Sequence, residues 1–303
     1  METPPGRQET IQGCGKTKRL EMPYHASMAM DTSPAPSPQS RSSQSGSRMW
    51  GPAAQRNLRN QWSKLAALRR KWDSVSTLGK SHAVSLVNTF LSYTYVPSME
   101  FGALRNMPLI REKARSKLLK QLEDHRRRLL SSYKGLIEIV VEMIETRSLM
   151  RCYIKNGNKS SFITFGNNKE EKDDDGDGGG IPVFSFLSIL EHEEMAKELS
   201  EMFASELIVK RLIVVELTTV GCEVLENKWL NELYPNEFND LRKCNVISAV
   251  EMRDALKFKN QPDREALQVF LTAWLVEVNI NCYRLDDIFS VIEEEIRANL
   301  LFK

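Results

Sequence analysis

The chain has 303 residues, 41% hydrophobic and 27% charged, enough for one sizeable core or two lobes. Its five cysteines (Cys14, Cys152, Cys222, Cys244, Cys282) are scattered with no C-x-x-C pair, and there are only four histidines, so neither a zinc site nor a disulfide scaffold is expected. No window approaches the roughly 18 uninterrupted apolar residues of a membrane span. METPPGRQET also lacks a basic start leading into an apolar run, so no secretory leader is expected and the protein reads as soluble and intracellular.

The net charge of +2 conceals a division. Residues 51 to 135 carry 17 Lys and Arg against 5 Asp and Glu, whereas residues 136 to 303 carry 19 against 31. Halves of opposite sign can pair with each other, steer separate partners, or simply be solvated helix faces.

Residues 1–52 are rich in Ser, Pro, Gly and Gln and cannot bury enough apolar surface to offset their ordering entropy, so this tail is read as disordered. Within it GCGKTKR imitates the end of a phosphate-binding loop, but position 10 is Thr where that pattern needs Gly, and no buried strand precedes it. Thr3, Ser33 and Ser37 each precede a proline and are candidate sites for proline-directed phosphorylation.

Residues 53–154 form the N-terminal helices. Leu58, Trp62, Leu65, Leu68, Trp72 and Val75 recur at helical spacing. Gly79 is expected to end or bend that helix, and a second apolar run from Ala83 to Leu91 halts near Pro97. The segment from Leu109 to about Tyr153 is the most periodic. Leu122, Leu129, Leu136 and Met143 fall seven apart, with Leu119, Tyr133 and Val140 filling most of the complementary positions, a coiled-coil-like seam interrupted by Arg126.

Residues 155–181 are read as an acidic, Gly-rich flexible linker. Asp173, Asp175, Asp177 and Gly178 copy the start of a calcium loop, but position 12 of that loop would be Phe184 instead of a bidentate glutamate. The following IPVFSFLSI is too apolar for a free linker, and Phe184 and Phe186 are expected to dock on the bundle or in a partner groove.

Residues 182–303 supply the C-terminal helices. A broad apolar face runs from Leu190 to Trp229, a mixed stretch occupies 234–262, and a last helix pair follows around Trp274 and Phe289. No strand-like alternation of any length is present. The expected fold is all-α, an elongated bundle or long antiparallel helical hairpin.

No catalytic constellation emerges: His82, His125 and His192 are far apart, and His192-Glu193-Glu194 lacks the second histidine of a helical zinc site. No cofactor is expected. The basic stretch REKARSKLLKQLEDHRRRLL is the nucleic-acid candidate, through Arg111, Lys113, Arg115, Lys117, Lys120, Arg126, Arg127 and Arg128. Glu112, Glu123 and Asp124 interrupt it and it lacks aromatic stacking platforms, so an acidic partner fits as well.

ELIVKRLIVVELTTVG, residues 206–221, resembles the signature helix of the cyclin-dependent kinase 2-interacting protein family. The Trp-x9-Trp helix QWSKLAALRRKWDSV, the pair Pro182 and Phe184, and Trp274-Leu275 fall in the same order, so the likeness covers roughly residues 55 to 300. The long tail, the acidic connector, the 234–262 region and NCYRLDDIFSVIEEEI depart from that family's pattern.

The resemblance implies a non-enzymatic adaptor, nuclear or both nuclear and cytoplasmic, working as one subunit of a hetero-oligomer. Its implied partners are cyclin-dependent, replication-initiation and checkpoint kinase complexes and AAA-type ATPase subunits, in replication, genome maintenance and ribosome maturation. The candidate partner contacts are Trp62, Trp72, Pro182, Phe184, Phe186, Glu206, Lys210, Arg211, Trp274 and Leu275. Lys210 and Arg211 interrupt an apolar run and must reach solvent or meet carboxylates. They read either as internal pairing within the bundle or as a charged handle for a partner.

Overall fold

The computed structural model describes residues 41–156, 161–166, 175–221, 231–246, 262–298 and 300. Six α-helices are present among them: α1 (Arg41–Tyr95), α2 (Ile110–Ser148), α3 (Ile189–Thr219), α4 (Glu237–Lys243), α5 (Arg264–Val276) and α6 (Cys282–Ile296). The fold is all-α apart from one small β-hairpin.

α1 and α2 form the long antiparallel hairpin. Lys64 meets Glu142 at 3.1 Å, Val75 lies beside Gly135, and Tyr93 accepts a hydrogen bond from Arg115 at 3.0 Å, so the residue numbers of facing pairs sum to nearly one value. Two short 3-10 turns, Val96–Ser98 and Gly102–Asn106, make the tip. The seven-residue seam is real packing: Leu122, Leu129, Tyr133, Leu136, Val140 and Met143 are buried. Leu119 is not: it is 47% exposed.

α3 lies along this hairpin, parallel to α1 and antiparallel to α2. Trp62 touches His192, Trp72 touches Phe203, and Phe90 approaches Gly221, a constant offset along the two chains. A capping box starts α3: the Ser188 hydroxyl accepts from the Glu191 amide, and Glu191 accepts from the Ser188 amide at 2.7 Å. α6 descends against both α1 and α3, fixed by Arg69 on Asp286 at 2.8 Å, Trp62 on Phe289 and Arg284 on Glu198 at 2.7 Å.

Four tryptophans fasten these helices. Each buries an apolar body and spends its single N–H inside the core, as large amphipathic rings do when desolvated. Trp50 donates to the Cys152 carbonyl at 3.0 Å, Trp62 to His192 Nδ1 at 3.1 Å, Trp72 to Glu277 at 3.2 Å and Trp274 to the Ser76 carbonyl at 3.0 Å.

The structure corrects the sequence reading at four places. Residues 41–52, expected in a disordered tail, begin α1, and Trp50 is buried against β1. Gly79 does not end that helix, which runs on to Tyr95; a Cβ there would lie 2.5 Å from the Trp274 ring, so this glycine marks close packing. Strands were not expected, yet β1 (Cys152–Asn156) pairs antiparallel with β2 (Ser161–Phe165), with Ile154 opposite Ile163. Five residues each is too short for alternation to stand out, but both strands are rich in β-branched and aromatic residues.

The fourth correction concerns the connector. β2 falls inside the expected 155–181 linker, and its end is bound to the bundle. The Cys152 amide donates to the Gly176 carbonyl at 2.9 Å. Gly178, at φ 70°, lies so close to Trp50 that a Cβ would sit 2.1 Å from the ring. Residues 167–174, with Asp173, lie outside the described residues, as do Thr3, Ser33, Ser37 and residues 247–261.

Candidate functional site

The run E-L-I-V-K-R in α3 places two cations on adjacent positions, pointing to different sides of the helix. Lys210 is fully buried toward the turn between α5 and α6. Its ammonium donates to the Trp274 carbonyl at 2.6 Å, lies 3.2 Å from Glu277 and 3.4 Å from Glu206, and stands 4.6 Å from the centre of the Trp274 ring. Glu277 also accepts from Ser76 at 2.5 Å, and Glu206 accepts from the Asn279 amide at 3.1 Å. Burial raises the Glu206 carboxyl above the ordinary carboxylate range, opposed by Asn279 and Lys210.

Arg211 turns the other way, toward α2 and α4. Its Nε donates to Glu237 at 2.8 Å; the same carboxylate accepts from Tyr133 at 2.8 Å and from the Leu233 amide at 2.7 Å. Glu237 is completely buried, and burial followed by this carboxylate pushes the Tyr133 phenol well above its usual range. Buried charge is tolerated only when paired and hydrogen-bonded. The two hubs meet that condition and tie α3 to the α5–α6 turn on one side and to α4 on the other.

Six of the ten residues expected to contact partners are thereby internal: Trp62, Trp72, Trp274, Glu206, Lys210 and Arg211 are all buried. The charged-handle reading of Lys210 and Arg211 is replaced by internal pairing. Phe184 is half-buried, stacked on by Arg59 at 4.9 Å and edge-on to His192. Pro182, Phe186 and Leu275 are exposed.

What sets the 182–188 turn was not legible in the sequence. Glu295 of α6, the last of three consecutive glutamates, is buried and accepts from three successive amides, Ser185 at 2.9 Å, Phe186 at 3.0 Å and Leu187 at 2.9 Å. His192 is enclosed beside it, and burial lowers its pKa to about 4, so it is neutral at physiological pH. The buried Cys244 thiol is pushed up to about 12, which removes its nucleophilic form. Among the described residues no cluster of three or more His, Cys, Asp or Glu could hold a metal ion, and no helix is long and apolar enough to cross a membrane.

Two surfaces contrast with this filled interior. The first is the outer side of α5 and the start of α6. Val269 and Val276 lie one heptad apart, opposite Trp274, and are about three-fifths exposed, as are Leu275 and Val278; Tyr283 is 90% exposed. The second is the hairpin tip, where Tyr95, Met99, Leu104, Met107 and Leu109 are about half exposed or more.

The basic helix begins at that tip. Arg111 is engaged locally, donating to the Pro97 and Met99 carbonyls across the Phe101 ring, and Arg115 donates to Tyr93. Arg126 is half-buried and donates to the Val220 carbonyl, while Arg127 pairs with Asp124. Lys113, Lys117, Lys120 and Arg128 are exposed. No protein-family model matches the chain, and no curated protein matches it.

Proposed function

We propose that the chain is a non-enzymatic adaptor, one subunit of a nuclear hetero-oligomer, of the kind the cyclin-dependent kinase 2-interacting protein family represents. The observation that carries this reading is the uncovered face of α5 and α6. Leu275, Val276 and Val278 are about three-fifths exposed, whereas the described tryptophans are buried and Lys210 and Arg211 are paired inside. Apolar residues grouped in this way mark contact surfaces more often than idle ones. Leu275 is also one of the residues that carry the family resemblance. From that resemblance, the partners are kinase complexes and AAA-type ATPase subunits.

The test is affinity purification of the tagged full chain from nuclear extract under gentle conditions, beside a Leu275→Asp/Val276→Asp variant. Both side chains face solvent, so circular dichroism and the melting temperature should be unchanged. The reading expects stoichiometric partners, among them kinase or AAA-type ATPase subunits, reduced at least ten-fold by the variant. Recovery of the chain alone, or an unaltered partner set, removes its support.

A further inference from the structure

We propose that the tip of the α1–α2 hairpin is a second docking surface, built to hold an acidic amphipathic helix of another protein. Two open grooves meet there and share Leu109 and Glu112. One, of about 730 Å³, is lined by Met99, Phe101 and Met107 among others. The other, of about 450 Å³, follows α2 and is lined by Leu109, Lys113, Ser116, Lys117 and Lys120. The spacing of these residues, three and four apart, makes them one stripe of the helix.

The occupant follows from charge, shape and length. Between residues 101 and 122 there are six Lys and Arg against one Glu, so the partner is acidic. Met107 is 52% exposed and Leu109 61%, and both line the grooves, so the partner also carries apolar side chains. A nucleic acid would satisfy the lysines through its phosphates and leave these residues wet. A membrane surface would be met by a contiguous apolar prow, whereas here Lys113, Ser116, Lys117 and Lys120 occupy most of the α2 side. From Leu109 to Lys120 this stripe of α2 is about 16 Å long, three turns of helix. Helix-in-groove recognition fits that length, with apolar anchors at helical spacing and carboxylates along the flank.

The chain's own acidic run does not reach this surface. Its flanks, Gly166 and Asp175, are held beside the Trp50 end of the bundle, where Gly166 donates to the Arg151 carbonyl and Arg151 to the Asp175 carbonyl. The eight residues between them span at most about 30 Å, whereas α1 runs about 70 Å from Trp50 to Tyr95. That run is out of reach and no described segment of the chain covers the tip, so the occupant proposed is a helix of another molecule.

The test uses the full chain and fluorescein-labelled helical peptides read by anisotropy. The probe peptide has leucines at helical spacing flanked by glutamates. Its controls replace the leucines with serine or the glutamates with lysine. Duplex DNA, single-stranded RNA and phosphatidylserine/phosphatidylcholine vesicles are measured in parallel. The proposal expects the acidic leucine peptide to bind, each control to bind at least ten-fold more weakly, and affinity to fall with salt.

Lys113→Glu/Lys117→Glu/Lys120→Glu should weaken binding at least ten-fold, and Met107→Ser/Leu109→Ser several-fold, with unchanged melting temperatures. No binding by the probe peptide, equal binding of the serine control, or tighter binding to nucleic acid or vesicles overturns the proposal. So does self-association of the chain that the triple lysine variant abolishes, since the occupant is then a second copy. Leu275→Asp/Val276→Asp should leave peptide binding unaltered, which separates failure here from failure of the α5–α6 reading.

Discussion

At the centre of the bundle Lys210 is enclosed by two carboxylates, a carbonyl and an indole face, whereas Lys113, Lys117 and Lys120 at the hairpin tip stand in solvent beside uncovered leucine and methionine. The same residue type serves opposite ends. In the centre the surroundings are complete, so the charge can only hold helices together. At the tip the surroundings are half-built: apolar groups and cations are placed, and none of the described residues covers them. Position in a filled or an unfilled environment decides the role of these residues more than their chemistry does.

The sharpest way to break the contrast is to make the centre incomplete. Glu237→Leu removes the carboxylate that accepts from Arg211, Tyr133 and the Leu233 amide, breaking a fully buried ion pair. Breaking one side of a buried pair costs about 3–5 kcal/mol. Urea unfolding followed by tryptophan fluorescence should show that loss. A change below about 1 kcal/mol would mean that Arg211 is not held as described.

His192 gives the next effect, through pH. Its folded pKa is about 4, below the ordinary value of 6.5 in the unfolded chain. Between those values the unfolded chain binds the proton and the folded one does not, so stability falls as pH drops from about 6.5 to 4 and is unaffected above that window. The loss is on the order of 3 kcal/mol. His192→Gln should flatten the dependence in that window, measured as the urea midpoint against pH.

The contrast also explains what the sequence disclosed. Helical periodicity placed α1, α2, α3 and the last pair, and the seven-residue seam named Leu129, Leu136 and Met143 as core, because burial imposes a repeat that survives in one dimension. Lys210 and Arg211 stood out for the same reason, as interruptions of an apolar run. Their partners did not: Glu277, Glu237 and Trp274 lie 26 to 67 positions away, and only folding brings them near. Glu295 did not stand out because it follows Glu293 and Glu294, which are less buried, and only the third glutamate faces the 185–187 amides. The tip's exposure was illegible too, since Met107 and Leu109 look like any other apolar residues until their cover is found wanting.

Two glycines sharpen the comparison within one hairpin. Glycine to alanine inside a helix ordinarily stabilises by about 1 kcal/mol. Gly135→Ala should follow that rule, because its Cβ would meet only the Val75 side chain at 3.4 Å. Gly79→Ala should reverse it and cost about 1–3 kcal/mol, because its Cβ would lie 2.5 Å from the Trp274 ring, itself fixed by its bond to Ser76. Opposite shifts in melting temperature are the expected result. Shifts of one sign would place Trp274 elsewhere.

The smallest expected effect belongs to the tip. Met107→Ser/Leu109→Ser and Lys113→Glu/Lys117→Glu/Lys120→Glu alter groups that the fold leaves in water, so each should change unfolding free energy by no more than about 0.5 kcal/mol per site. The charge-reversed chain could even gain slightly, since it relieves repulsion among the cations of α2. If instead either variant destabilises the bundle by several kcal/mol, the tip is covered from within the chain, and its lysines belong with Lys210 as internal ties.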